Sequence, residues 1–162
     1  MMTQRLVTDA AELLQQMRER KFLLATAESC TGGMIAAALT EIAGSSAVVD
    51  RGFVTYSNEA KMDLLNVPKD IIETHGAVSE VTARAMVAGA LAKAPVDCAV
   101  AVTGIAGPGG GTDEKPVGLV HLAAARRDRH IIHERQVFPG DRAKVRHLTV
   151  LRALELLQKL LD

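Results

Sequence analysis

Short apolar runs alternate along this chain with segments of helical period, and that alternation restricts it to a sheet covered by helices. "FLLATA" at 22–27, "AVVDRGFVTYS" at 47–57 and "DCAVAVTG" at 97–104 have the length and the apolar or β-branched content of strands, the second ending near Tyr56. Residues 9–20 place Ala10, Leu13, Leu14 and Met17 on one helical stripe. Gly32-Gly33 leads into "MIAAALTEIAG", a helix expected to end at Gly44. "NEAKMDLL" predicts a short helix stopped before Pro68, and residues 79–94 a longer one capped by Ser79. "VGLVHLAAA" and "HIIHERQVF" flank the polar turn "RRDR" as a hairpin, its second arm alternating like an edge strand. A last helix begins at Asp141, with Val150, Leu154, Leu157 and Leu161 as its buried stripe. The expected fold is a single three-layer α/β/α domain over residues 1–162. Its mixed, mainly parallel sheet has about five strands and closes in a C-terminal antiparallel hairpin.

Charge removes several function classes. Lys plus Arg and Asp plus Glu both number 19, so no net charge draws the chain to nucleic acid or to an anionic membrane. Only Phe22, Phe53, Tyr56 and Phe138 are aromatic, too few for a base-stacking surface. The basic residues do concentrate between 126 and 146, where a small anion is the suitable partner. Cys30 and Cys98 have neither metal-ligand spacing nor a disulfide framework, and none of the five histidines falls in a zinc pattern. No metal and no cofactor are expected. The N-terminus reads as a helix rather than a signal peptide, so the expectation is a soluble, cytoplasmic protein. Whether it forms a homo-oligomer is left open.

In sheets of this kind ligands gather beyond the carboxyl ends of the strands, and three expected strand ends carry reactive or glycine-rich sequence. The first is Glu28-Ser29-Cys30-Thr31-Gly32-Gly33. Ser29 alone reads as a helix cap, a role worth about 1 kcal/mol. Thr31 can take that role instead and free Ser29 as a nucleophile. Gly32 and Gly33 open the backbone amides of the turn to a substrate oxygen or phosphate, and Cys30 is the rival nucleophile. At the second end, Lys61 lies in or beside the first turn of a short helix, where the dipole disfavours a cation and lowers its pKa, and partial burial lowers it further. A lysine neutral near pH 7 can deprotonate a serine, and Tyr56 can relay a proton or hold the amine. The ordinary alternative is an exposed Lys61 paired with Glu59 or Asp63 and a Tyr56 packed in the core. At the third end, Thr103 and Gly104 open the glycine-rich "TGIAGPGGGT", which lacks the lysine of a P-loop. Arg142 opens the last helix at the wrong end of its dipole, a placement that suits an anion from a ligand or, more plainly, a surface salt bridge.

Taken in order, "AESCTGG", "TYSNEAK", "HGAVSE", "AVTGIAGPGGGTDEKPVG" and "PGDR" resemble the nicotinamide-nucleotide amidase family, also known as the C-terminal domain of the competence-damage-inducible protein CinA. The resemblance runs from about Thr8 to the end of the chain. It implies hydrolysis of the carboxamide of nicotinamide mononucleotide to nicotinate mononucleotide and ammonia, with a small nucleotide as the partner. It further implies Ser29 as nucleophile, Lys61 as base, Tyr56 as accessory hydroxyl, and Thr103 and Arg142 as substrate contacts. Many relatives carry a larger N-terminal domain, whose activities are not transferred here. Two other readings remain beside this one: a nucleotide-binding sensor without turnover, and a hydrolase of another small amide or ester using the same pair.

Overall fold

Five strands form one sheet: β1 (Leu24–Glu28), β2 (Val49–Val54), β3 (Cys98–Gly104), β4 (Leu119–Arg126) and β5 (Ile132–Val137). Their order is β2-β1-β3-β4-β5, in a computed structural model that describes residues 2–162. β1 runs parallel to β2 and β3, while β4 runs antiparallel to β3 and β5. The sheet is mixed as expected, but its pairings divide evenly rather than being mainly parallel. The reason is that the hairpin adds its first arm directly to β3.

Among the described residues the α-helices are α1 (Gln4–Glu19), α2 (Met34–Thr40), α3 (Asn58–Leu65), α4 (Lys69–His75), α5 (Glu80–Lys93) and α6 (Arg142–Lys159). α1, α2 and α6 cover one face of the sheet, and α5, with α3 and α4 against it, covers the other. The two faces are packed differently. Leu24, Val100, Val102, Val120 and Leu122 meet the first set of helices, whereas Ala27, Ala99, Ala101, Ala123 and Ala125 meet α5. Small side chains on that second face bring α5 close, and α3 closes on α5 in turn. A Cβ at Gly89 would lie 2.0 Å from the Leu65 carbonyl oxygen, so this contact between α3 and α5 requires glycine in mid-helix.

Several boundaries differ from the sequence expectation. α4 was not anticipated, because it has seven residues and a single buried apolar side chain, Ile72, too short to show a period. Pro68, read as a stop, is also its N-cap. α2 ends at Thr40, and a short 3-10 turn at Ser45–Ala47 fills the approach to β2. β2 ends at Val54 and leaves Thr55 and Tyr56 in the connection to α3. The caps expected of Ser79 and Asp141 are present: Ser79 accepts from the Thr82 amide and Asp141 from the Lys144 amide.

Candidate active site

Register places the site. Glu28 is opposite Val54 on one side and Val102 on the other, so β1, β2 and β3 finish at one level. The Ser29 amide donates to Val102 O at 3.0 Å and the Thr55 amide to Glu28 O at 2.8 Å, carrying the pairing one residue further. Ser29, Thr55 and Thr103 therefore emerge side by side. Successive strand residues point to opposite faces, so Glu28 turns towards α2 and Ser29 towards α3.

Glu28 fixes the turn that follows. It is only 1% exposed, and its Oε1 accepts from the Thr31 hydroxyl at 2.6 Å and the Ile35 amide at 2.8 Å. Its Oε2 accepts from the Ala36 amide at 3.1 Å. The α2 N-cap is Gly33, which has no side chain to cap with, and Glu28 supplies the acceptors instead. Neither Ser29 nor Thr31 caps α2 with its hydroxyl. Thr31 instead supports Glu28, and Ser29 is free for another purpose. Gly32 and Gly33, at φ 57° and 102°, make the left-handed turn that returns the chain to the sheet.

Ser29 and Lys61 meet: Oγ and Nζ are 2.9 Å apart. α3 starts where Ser57 accepts from the Ala60 amide, and Lys61 follows at its fourth position with its side chain folded back under the strand ends. The lysine is 1% exposed, not a surface residue paired with Glu59 or Asp63. Burial, expected from sequence as an addition to the helix dipole, is the main cause that lowers its pKa to about 8. Nζ also donates to Thr55 O at 2.8 Å, with Tyr56 O and Ser57 O each at 3.5 Å. A neutral amine has two N–H bonds for these carbonyls and one lone pair, which then faces the Ser29 hydroxyl. The neighbouring Cys30 thiol is buried, and burial pushes its pKa up to about 12, so the rival nucleophile stays protonated at neutral pH.

The pair opens onto a cleft of about 170 Å³ lined by Ser29, Cys30, Tyr56, Lys61, Thr103, Gly104 and Arg142 among others. Thr31, Gly32 and Gly33, expected to touch substrate, shape the turn without lining the cleft. Tyr56 is 61% exposed at the mouth rather than packed in the core, and its hydroxyl accepts from Arg142 Nη2 at 3.1 Å. Only its backbone carbonyl approaches Lys61. Arg142 Nη1 donates to Gly107 O at 2.9 Å, tying the glycine-rich loop across the opening. The Thr103 hydroxyl donates to Ala77 O at 2.7 Å and fixes the opposite wall. Gly104 has no room for a Cβ, which would lie 2.6 Å from Val120 Cγ2.

Other titratable residues lie outside this cleft. His121 and His133 stack with ring nitrogens 2.9 Å apart, and burial lowers the His121 pKa to about 4. Among the described residues no group of three or more His, Cys, Asp or Glu side chains is placed to hold a metal ion. No described helix is long and apolar enough to cross a membrane.

Residues 7–161 match the CinA C-terminal domain. The chain belongs to the CinA C-terminal domain family. It is 54% identical over 145 residues to a CinA-like protein of Citrifermentans bemidjiense, covering 90% of this chain and 35% of that relative. The chain thus spans about a third of the length of the curated CinA-like proteins it matches. Solved CinA-type structures are similar over nearly their whole length. The competence/damage inducible protein CihA of Agrobacterium tumefaciens is 50% identical with a TM-score of 0.98, covering 100% of this chain and 99% of that one. A CinA superfamily protein of Escherichia coli is 34% identical with a TM-score of 0.92, covering 99% and 94%.

Two side chains at the site carried no role in the sequence reading. Glu28 stood in the quoted motif unassigned; its signal is an acid ending an apolar strand with glycine at the next N-cap. The other is Arg146, four residues after Arg142 and so on the same face of α6.

Proposed function

We propose that this chain hydrolyses the carboxamide of nicotinamide mononucleotide, releasing ammonia and nicotinate mononucleotide. The observation that carries the reading is the buried contact of 2.9 Å between Ser29 Oγ and Lys61 Nζ at the floor of a cleft. Neutral Lys61 takes the Ser29 proton as Oγ bonds to the amide carbon, and the carbonyl electron pair moves to oxygen. That oxyanion needs a donor, and the amide of Cys30, a residue that lines the cleft, makes no hydrogen bond to another described residue's backbone. The new Lys61 ammonium gives its proton to the departing nitrogen as the C–N bond breaks. Water, deprotonated by the same amine, then cleaves the acyl ester and restores Ser29.

The nucleotide as substrate is the resemblance's contribution, and Arg142 suits it. Two of its five N–H donors are used by Gly107 and Tyr56, which leaves others facing solvent at the mouth for a phosphate. Ammonia release from nicotinamide mononucleotide by wild type and by Ser29→Ala tests the reading. Loss of turnover by about 10³-fold or more is expected in the variant. Thermal stabilisation of wild type by the nucleotide, with no ammonia on long incubation, would instead mark a binding module.

A further inference from the structure

We propose that Arg146 is a positioning residue for the oxyanion site, an assignment that rests on the Ser29–Lys61 amidase reading. Arg146 is half-buried on α6, under the turn that follows β1. Its Nε donates to Cys30 O at 3.1 Å and its Nη2 to Thr31 O at 3.2 Å. No carboxylate lies within salt-bridge distance of it among the described residues, so its charge is spent on these two carbonyls.

The peptide geometry gives those bonds a consequence. In a trans peptide the carbonyl and the next residue's N–H point in opposite directions. Holding Cys30 O therefore aims the Thr31 N–H away from Arg146. Holding Thr31 O aims the Gly32 N–H, which donates to Ser29 O at 3.0 Å. Holding Ser29 O in turn aims the Cys30 N–H. The Cys30 amide beside the nucleophile thus ends a chain of polarised peptides that begins at one guanidinium and passes through Gly32, while the bond to Cys30 O holds the adjoining peptide in place. Gly32 is required by its left-handed φ of 57° and not by crowding, since a Cβ there would meet Arg146 Nη2 at an ordinary 3.6 Å. The two acceptors require a planar fork, so lysine could satisfy one carbonyl but not both.

The test compares Arg146→Met and Arg146→Lys with wild type on nicotinamide mononucleotide and on its analogue with an aldehyde in place of the carboxamide. In the analogue Ser29 Oγ bonds to the aldehyde carbon, the serine proton passes to Lys61, and the carbonyl pair becomes an alkoxide in the same amide site. For Arg146→Met, kcat is expected to fall by about 10–100-fold with KM little changed. Aldehyde affinity should fall in parallel, with the pH midpoint of turnover unmoved and Arg146→Lys recovering only part. A kcat within about twofold of wild type, or aldehyde affinity unchanged while kcat and the unfolding temperature fall together, would overturn the assignment and leave Ser29 and Lys61 standing. A wild-type protein that neither releases ammonia nor forms the aldehyde adduct defeats the amidase reading, and the role of Arg146 with it.

Discussion

Glu28 and Lys61 are buried to the same degree, 1% exposed each, yet they lie on opposite faces of the sheet and in opposite chemical circumstances. Glu28 receives three hydrogen bonds, from one hydroxyl and two amides, which orders the turn and starts α2. Lys61 is placed against a serine hydroxyl and one well-positioned carbonyl, with two more carbonyls at the limit of reach. Burial costs a charge unless its partners replace water. On the α2 side they do, and the result is architecture. On the α3 side they fall short, and the result is an amine that loses its proton easily.

The largest effect should come from Lys61→Met. Methionine fills a similar volume and removes a costly buried amine, at the expense of the hydrogen bond to Thr55 O. Unfolding temperature should hold or rise while amidase turnover falls by about 10³-fold or more. Protonated Lys61 cannot accept from Ser29, so kcat/KM in wild type should climb with pH and level off above about 8. The stability consequence has the same sign. A folded pKa of about 8 against 10.5 unfolded means that the unfolded chain binds the extra proton across that window. Wild-type stability should then rise with pH from about 8 to 10.5, by at most about 1.4 kcal/mol per unit. Denaturant titrations across that range should find the slope reduced in Lys61→Met. An equal slope in both proteins would place the titration elsewhere.

Glu28→Gln should act mainly on stability. The amide keeps the shape of the carboxylate but turns an NH2 donor towards donors, leaving at least one of Thr31, Ile35 and Ala36 without its acceptor. A loss of about 2–3 kcal/mol in urea unfolding is expected. Turnover per folded molecule should fall less than for Lys61→Met, because Ser29 and Lys61 both remain. If Glu28→Gln left stability intact and abolished turnover, the division between an architectural acid and a chemical base would reverse.

How much of this was legible in the chain depends on the range of the interaction. Strand β3, helix α5 and its Ser79 cap, and the Asp141 start of α6 follow from local period and capping chemistry, and the structure has them at those positions. The meeting of Ser29 with Lys61 was legible only as a motif, since 32 residues separate them and register alone closes the gap. Local reasoning offered Thr31 as the cap of α2 and, as the ordinary alternative, a Tyr56 packed in the core, and the structure has neither. The hydroxyl of Tyr56 found Arg142, 86 residues away, and the cap of α2 came from a strand residue on the preceding element. For Lys61 the direction of the pKa shift and both causes, dipole and burial, were open to local reasoning, but the extent of burial was not, because it is a property of the packed α3–α5 contact.

The smallest effect tests the contrast between neighbours on one turn. Ser29 and Cys30 are adjacent, both buried, and thiols are intrinsically the better nucleophiles. What separates them is the partner. Ser29 Oγ has an amine at 2.9 Å, whereas burial, followed by the nearby Glu28 charge, raises the Cys30 thiol to about 12 and away from its reactive thiolate. Cys30→Ala should therefore keep turnover within about threefold of wild type and cost about 1 kcal/mol of stability through the lost packing of one small side chain. Iodoacetamide at neutral pH should leave wild-type activity unchanged over hours. Rapid inactivation by iodoacetamide that Cys30→Ala abolishes would mean a thiolate beside the cleft, and the nucleophile would then be the sulfur, with Lys61 stabilising its anion rather than deprotonating a hydroxyl.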